Sequence, residues 1–516
     1  MAGNVTPNLS DISLCEATTG WTAVGGTLAQ TDNTIFGPAQ GTYNLQNYSS
    51  SGVSRGADFT WGIDTNLTAV TVYAWFAFSN KTIIQNKGST GLRIRITDVS
   101  SNWGEWDIAG KDTLPHAGWI CWAVRTNVAY SRTGGTNPTL TQIRKVGWRA
   151  DTVTAKGTIY FDAWRYGQGL TIEGGTSGDP AKFDDIITAE ETQANRWGVV
   201  AKYEGVYFVQ GVLNIGKTNQ TSPTYFKDTS KVVVFKDALV GTSFYGFNVV
   251  GTDSTNKTEF YLGAKSGTSG ISGCIFNAAG TAKYSLTATN AFVTACGVYG
   301  CTFLGAGTIT LPDTAANKET LNCTFVSCAE VLPGTGITEN CFFLSAPGDA
   351  VRITSISHNI KNCSFISNLR GVEITCAGTT GFDNMKFTAN TYDVNNTSGG
   401  GITVGKSNGS NPSTYTGSAV TFTGSVQLTM TVKTEGGSPI NGALAYIDDN
   451  DQSPFIMNTT TNSNGIATVA YTGSPVTGAR WRVRLYGYKA YYQLLDISGD
   501  NISIPVTLVV DPQQSV

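Results

Sequence analysis

Four charged residues recur at near-constant intervals late in the chain: Glu330, Arg352, Glu373 and Asp393, at steps of 22, 21 and 20. On one face, two such carboxylates could serve as acid and base, or as acid and nucleophile, in cleaving a glycosidic bond. A base beside a cation-neutralised acid would suit an elimination instead. The alternating sign of the row favours a third reading, a solvated ladder in which Arg352 offsets its neighbours. Trp103 and Trp106, in Asn-Trp-Gly-Glu-Trp-Asp, and Trp61 lie near turns, where a ring can be offered to a sugar. Trp75, Trp122, Trp148 and Trp164 fall in strand interiors and read as core.

Other chemistry is poorly supplied. The two histidines, His116 and His358, stand 242 residues apart, which excludes a multi-histidine metal site and disfavours a histidine-based triad. None of the ten cysteines forms a Cys-x-x-Cys pair, and the five-residue spacings Cys296/Cys301 and Cys323/Cys328 match no common zinc site. Asp448-Asp449-Asn450-Asp451 is contiguous rather than alternating and lacks the glycine and distal glutamate of a calcium loop, so it reads as an acidic turn.

The elements that must position these residues are strands. Of 516 residues only 14% are charged, against about 25% in an average soluble domain, and 60 are glycine. Lys+Arg 34 against Asp+Glu 37 leaves a net charge of -3 with no basic block to follow a phosphate backbone, so no nucleic acid is expected as partner. The amino terminus MAGNVTPNLSDISL has neither the basic start nor the apolar core of a secretion signal, and no apolar run approaches the 20 or so residues that span a bilayer. The expectation is a soluble chain made without export and without membrane insertion.

The sharpest pattern is a repeat. Gly246-Phe247-Asn248-Val249, Gly273-Cys274-Ile275-Phe276, Gly300-Cys301-Thr302-Phe303, Asn322-Cys323-Thr324-Phe325, Asn340-Cys341-Phe342-Phe343, Asn362-Cys363-Ser364-Phe365 and Asn384-Met385-Lys386-Phe387 superpose. Their steps are 27, 27, 22, 18, 22 and 22 residues, which means stacked coils. Cys or Met and the Phe two positions on share one strand face, giving a column of thiols beside a column of phenyl rings. The cysteines therefore read as packed free thiols, and the asparagines as bend residues that tolerate the left-handed region and bond one another. The implied fold is all-β, with a central right-handed parallel β-helix of about seven coils over 201–400.

Flanking it, residues 1–168 carry eight to ten alternating strands. Cys15-Glu16-Ala17 with Gly20-Trp21, closed by Gly157-Thr158-Ile159-Tyr160-Phe161-Asp162, resembles carbohydrate-binding-module and lectin-like jelly rolls. That resemblance implies a structural calcium between first and last strands, at Glu16 and Asp162; no other cofactor is required. Residues 169–200 read as a linker and a capping helix over 184–195 with Ile187 and Glu191 on one face, and 401–419 as a second linker. In 420–516, Ser438-Pro439-Ile440-Asn441-Gly442-Ala443 and Thr461-Asn462-Ser463-Asn464-Gly465-Ile466-Ala467 resemble immunoglobulin-like, transthyretin-type sandwiches.

Parallel β-helices often belong to polysaccharide lyases and hydrolases, but the paired aspartates, Gly-His-Gly and Arg-Ile-Lys of pectin hydrolases are missing, and His358 and Arg352 read as bend and surface residues. The order of modules, with Phe183-Asp184-Asp185-Ile186 leading into Trp197-Gly198-Val199-Val200, resembles bacteriophage virion structural proteins: capsid decoration proteins, head fibres or tail fibres. The resemblance implies a non-enzymatic protein made in the host cytoplasm and displayed on the virion surface. Its partners would be the major capsid protein or tail and connector proteins, host-surface polysaccharide, and copies of itself in a homotrimer. The alternative is a tailspike-like glycan depolymerase with its cleft on the β-helix.

Overall fold

The computed structural model describes residues 4–32, 43–49, 54–151, 157–173, 175–192, 196–217, 219, 221–236, 243–253, 255–264, 273–278, 283–288, 293–311, 317–424, 426–449, 455–471, 476–497 and 501–513. The chain is all-β, as its alternation and turn content require, with a single α-helix among the described residues, Phe183–Thr192. It forms two compact units, Met1–Asn317 and Lys318–Val516.

In the first unit, two sheets face each other near the amino terminus. One is antiparallel throughout, in the order Arg132–Gly134, Trp103–Ala109, Leu92–Asp98, Ile143–Ala150, Arg55–Thr65 and Trp21–Val24. The other is built on the 17-residue strand Gly157–Glu173, which pairs antiparallel with Asn4–Ser13, Tyr43–Ser49 and Thr71–Phe78. Between the sheets the aromatic rings meet edge to face: Trp21 with Phe161 at 4.9 Å, Trp148 with Phe161 at 5.5 Å, Phe76 with Trp164 at 5.7 Å. Such contacts add to the area that each ring buries.

Gly157–Glu173 also leads out of this sandwich. Its last residues pair in parallel with Val212–Ile215. At Gly169, φ is +132° and a Cβ would stand 2.1 Å from the Val212 carbonyl oxygen, so only glycine lets the next backbone approach. From here every third strand pairs in parallel with the next. Val212–Ile215, Ser243–Val249, Lys283–Thr287 and Thr308–Thr310 form one sheet. Val206–Val209, Val232–Phe235, Ile275–Ala278 and Thr302–Leu304 form a second, and Thr224–Asp228, Thr258–Leu262 and Val293–Tyr299 a third.

The register corrects one member of the repeat. Phe276 lies beside Phe303 and Val233, while Phe247 pairs with Leu213 and Leu286 in another sheet. Gly246-Phe247 copies the local pattern without its place, because these coils are longer and shift their strands along the sequence.

The helix closes the open end of the coils, with Phe183 seated on Tyr207, Phe226 and Phe247 at 5.4–5.7 Å. Its buried stripe is Phe183, Ile186 and Glu190, not the expected Ile187 and Glu191: Ile187 is only half-buried, and the side chain of Glu191 lies outside the described residues. Asp184 is held well below the usual carboxylate range; burial opposes this, but hydrogen bonds from Lys202, Lys231 and the Tyr207 hydroxyl outweigh it. Glu190 shows the reverse. Burial pushes its carboxyl up to about 8, against hydrogen bonds from the Val200 and Gly198 backbone and the charges of Arg196 and Arg165.

In the second unit the coils are tighter. Thr324–Val326, Phe342–Leu344, Ser364–Ile366 and Lys386–Thr388 stack in register, and so do Glu330–Leu332, Asp349–Ile353, Arg370–Ile374, Tyr392–Asn396 and Tyr415–Gly417. The asparagines preceding the marker all have positive φ, 57° at Asn322, 56° at Asn340, 54° at Asn362 and 47° at Asn384. Asn384 donates to Asn362 Oδ1 at 2.8 Å, and Asn362 to Glu339 Oε1 at 2.8 Å.

A second left-handed residue follows each three-residue strand, Ser327, Ser345, Ser367 or Ala389, so every short strand is bracketed by two bends. Between the bends the phenyl rings lie flat on one another, 4.9 Å apart from Phe325 through Phe343 and Phe365 to Phe387. All ten cysteines are free thiols, nine of them buried. Burial and the neighbouring Cys323 push the Cys341 thiol well above its ordinary range.

The stretch 401–419 is not a linker. Ile402–Ser407 pairs with Gly378–Asp383 and then with Val420–Gly424, and Tyr415–Gly417 pairs with Tyr392–Asn396. Its glycines and serines fall within these strands and at the bends between them. The chain ends in a seven-stranded sandwich. Ile466–Tyr471, Val426–Thr434 and Ile502–Leu508 form one sheet, and Met457–Thr460, Leu444–Asp448, Val476–Arg484 and Tyr491–Ile497 the other, around a fully buried Trp481.

Two outcomes follow from this packing. Phe343 is 1% exposed between two rings and its neighbour Phe342 is 47% exposed. Phe343→Ala should cost about 3–5 kcal/mol in denaturant unfolding, whereas Phe342→Ala should stay within about 0.5 kcal/mol of the parent. Equal effects would contradict the alternation. For Glu190 the sign runs as follows. Below about pH 4.5 folded and unfolded chains are both protonated; from there to about pH 8 only the unfolded chain ionises, so stability falls as pH rises. Glu190→Gln should therefore gain melting temperature relative to the parent between about pH 5 and about pH 8. A constant difference would show that the carboxyl titrates normally.

Candidate functional site

The expected ladder is present, and it is a clamp. The register Val331↔Val351, Val351↔Val372, Val372↔Val394 stacks a valine column and places Arg352 beside Glu373, and Glu373 beside Asn395. Arg352 reaches Glu330 at 2.7 Å through Nη2 and Glu373 at 2.5 Å through Nε. Glu373 also accepts from the Thr397 hydroxyl at 2.9 Å. Burial raises the Glu330 carboxyl, opposed by Arg352.

Asp393 does not join them. Like Glu330 it precedes its valine, but its Oδ2 accepts the backbone amides of Ser413 at 2.8 Å and Thr414 at 3.1 Å. Three of the four residues thus converge, with both carboxylates bound to one guanidinium. His358 sits in a turn, where its Nδ1 accepts from the Ile360 amide at 3.3 Å and burial lowers the ring to about 4.

The paired-tryptophan platform is absent. Trp106 is fully buried in the sandwich core and donates to the Val128 carbonyl at 3.1 Å. Three residues apart on a strand, Trp103 and Trp106 point to opposite faces. Trp103 is half-buried on the outer face, with the Arg95 guanidinium 3.9 Å from its ring centroid and Gly134 so close that a Cβ would stand 2.1 Å from the ring. Around it Arg95 and Arg132 share Glu105 at 2.6 and 3.2 Å, and Arg149 holds Asp58 at 2.8 Å.

Asp162 is fully buried and accepts from the Ala163 amide at 2.8 Å; Glu16 Oε2 accepts from the Tyr43 amide at 3.3 Å. Burial, then the Asp162 charge, push the Cys15 thiol between them well above its ordinary range. Glu16 Oε1 is buried without a partner. Among the described residues no three His, Cys, Asp or Glu side chains are placed to hold a metal. Of the acidic turn, Asn450 and Asp451 lie outside the described residues; Asp448 is 1% exposed and bonded to Arg480 at 2.8 Å.

The site that sequence reasoning missed is a cleft of about 340 Å³ on the coils of the first unit. Three neighbouring strands build it, with register Tyr225↔Glu259, Lys227↔Tyr261 and Tyr261↔Gly297. Strand alternation sends Phe226, Phe260, Cys296 and Val298 inward. The same alternation turns Tyr225, Lys227, Glu259, Tyr261 and Tyr299 outward into the cleft.

Gly297 is the outward position without a side chain. A Cβ there would meet the Tyr299 hydroxyl at 2.4 Å, so the glycine makes room for that ring to fold back beside Tyr261. The Tyr261 hydroxyl reaches Glu259 at 3.4 Å. Three phenol rings flanked by one carboxylate and one ammonium can stack on the C–H faces of sugars and bond their hydroxyls. The lone carboxylate does not supply the pair that glycoside hydrolysis uses. The signal in sequence was the two-residue spacing of the pairs Tyr225/Lys227, Glu259/Tyr261 and Gly297/Tyr299, spread over coils of unequal length.

No helix in the described residues is long and apolar enough to cross a membrane. No protein-family model matches the sequence, and comparison with curated proteins gives no match. Similar solved structures include an exo-beta-agarase, at 10% identity and TM-score 0.23, covering 30% of this chain and 24% of that one. A family 11 carbohydrate-binding module from Clostridium thermocellum, in complex with a mixed-linked tetrasaccharide, has 8% identity and TM-score 0.22, covering 32% of this chain and 96% of the module. The CBM22-1 xylan-binding domain from Paenibacillus barcinonensis Xyn10C has 12% identity and TM-score 0.20, covering 32% and 95%. The chain thus spans about a quarter of the agarase's length, and likenesses of this size bear on neither the activity nor the ligand of this chain.

Proposed function

We propose that the chain is a non-enzymatic structural protein of a bacteriophage virion surface, of capsid-decoration or head-fibre type with tail fibre next, and that it contacts host-surface glycans. The observation that carries the glycan reading is the tyrosine cleft: outward rings on three adjacent strands, made accessible by Gly297 and flanked by Glu259 and Lys227. The ion-paired state of Glu330, Arg352 and Glu373 supports a structural part for the ladder, since each carboxylate is already bound by Arg352. The buried free thiols support folding in a reducing cytosol, where virions assemble.

The test is affinity electrophoresis of the full chain in gels containing neutral polysaccharides (dextran, mannan, xylan, galactan) or host lipopolysaccharide. Retardation by at least one is expected, and Tyr261→Ala should weaken it about tenfold or more without shifting the melting temperature. No reducing or unsaturated ends should be released from any of them. Release that Glu330→Gln abolishes would replace this reading by a depolymerase, and purified virions that lack the chain by mass spectrometry would remove the virion assignment.

A further inference from the structure

The four-stranded sheet of the carboxy-terminal sandwich ends on the strand Tyr491–Ile497, which pairs with Val476–Arg484 on one side and, among the described residues, with no strand on the other. A bridge from Tyr488 to Val510 closes the stretch before it, so the open edge begins at Tyr491 and runs for 7 residues. Such an edge offers its backbone N–H and C=O groups to any second strand, and folds guard against this with lysine, proline or an inward-pointing charge. The edge strand of the facing sheet, Ile502–Leu508, carries Pro505. Tyr491–Ile497 has no lysine, arginine, proline or glycine, and its one charge, Asp496, stands on the exposed face, where it accepts the Gly478 amide at 2.6 Å.

Both faces of this strand are incompletely covered. Outward, Tyr492 is 56% exposed and Leu494 55%. Inward, Ile497 is buried, but Tyr491 and Leu495 pack on the core and remain half-buried. One more strand at this edge would cover both rows, and the order of residues suits the strand's own twin. In an antiparallel pair with a two-fold axis at Gln493, Tyr492 stands opposite Leu494 of the second copy, Tyr491 opposite its Leu495, and Gln493 opposite itself. Gln493 Oε1 accepts from the Tyr491 hydroxyl, which leaves the amide nitrogen to donate across the axis. In that register Asp496 falls opposite Ala490, so no like charges meet. An edge without cations has little with which to select a foreign strand, whereas from Tyr491 to Leu495 it complements itself.

We infer that Tyr491–Ile497 is a dimerisation edge, along which two copies of this chain pair antiparallel in the register centred on Gln493 and join their four-stranded sheets into one. A two-fold contact between like edges closes on itself, so it gives a dimer and not a fibre. One strand pair lies at or below the low end of stable interfaces, about 1,200 Å², so the dimer exchanges with monomer as concentration changes. The inference is independent of the tyrosine cleft, which belongs to the other compact unit.

The experiment is sedimentation velocity of the full chain over about a hundredfold range of concentration, with a monomer–dimer equilibrium expected. Leu494→Lys, at an exposed position, sets an ammonium against Tyr492 of the second copy and should weaken dimerisation about tenfold or more with an unchanged melting temperature. A second variant reads the register directly. A short bis-maleimide should join two copies of Gln493→Cys through thioether bonds, while the parent and Ala470→Cys, on the edge strand Ile466–Tyr471 of the facing sheet, stay unlinked. Sedimentation as a monomer at every concentration would overturn the inference. So would an oligomer of any order that Leu494→Lys leaves unchanged, or the absence of linkage through position 493, since copies would then meet elsewhere.

Discussion

In-register parallel stacking sets each side chain of a coil about 4.8 Å from its equivalent in the next, so a residue type persists down a column only where it packs against itself. Flat phenyl rings satisfy this, and Phe325, Phe343, Phe365 and Phe387 do so at a constant 4.9 Å. Asparagine satisfies it too, because the amide is donor and acceptor at once: Asn368 donates to Asn390 at 3.0 Å and also closes the Phe343 carbonyl. Charges satisfy it only by alternating, as Arg352 and Glu373 do, while Glu330 reaches the same guanidinium from the position before its valine. The ladder that first suggested catalysis is thus the form that this constraint gives to any charged column. Most of the low charge content has the same origin, since a column of like charges repels itself at every step.

The constraint loosens where coils lengthen. In the second unit, strands of one column return after 18 or 22 residues, whereas Thr224–Asp228 and Thr258–Leu262 in the first are 34 apart. Longer coils free outward positions from their neighbours, and there tyrosine, glutamate, lysine and glycine mix in adjacent rows. A recognition surface needs that mixture, because a sugar offers apolar faces and hydroxyls together. Regular coils give stiffness and irregular ones give chemistry, both built on the same backbone pairing.

What was legible in the sequence followed from short-range rules. Asn-Cys-x-Phe announced its bend, strand and inward ring within four residues, and the structure repeats that reading coil after coil. Failures came where a local pattern was judged without its partners. Gly246-Phe247 has the marker's look, but only cross-strand register shows that it belongs to another sheet. Trp103 and Trp106 were paired by their nearness to a turn, although a spacing of three separates them to opposite faces. The serine bends were hidden for another reason: Ser327, Ser345 and Ser367 are held left-handed by hydrogen bonds from their amides to the next coil, at 2.8–3.0 Å, and not by their own type.

Trp106, Trp148, Trp164 and Trp481 are fully buried, whereas Tyr446, Tyr492, Tyr261 and Tyr299 stand wholly or partly in solvent. Tyrosine is the ring that tolerates water at its tip while keeping an apolar face, so a protein with few charges can display it without forming a greasy patch. Several of the charges that do occur are used inward, in Arg370 with Asp349 at 2.8 Å, Arg149 with Asp58 at 2.8 Å and Arg480 with Asp448. Arg482 and Arg484 also lie beside the Tyr446 ring on one sheet face, Arg482 standing 3.7 Å from Asp448 as well. Burying an arginine under an acid satisfies both charges inside the fold, whereas a guanidinium on a tyrosine ring draws on the ring's electrons instead.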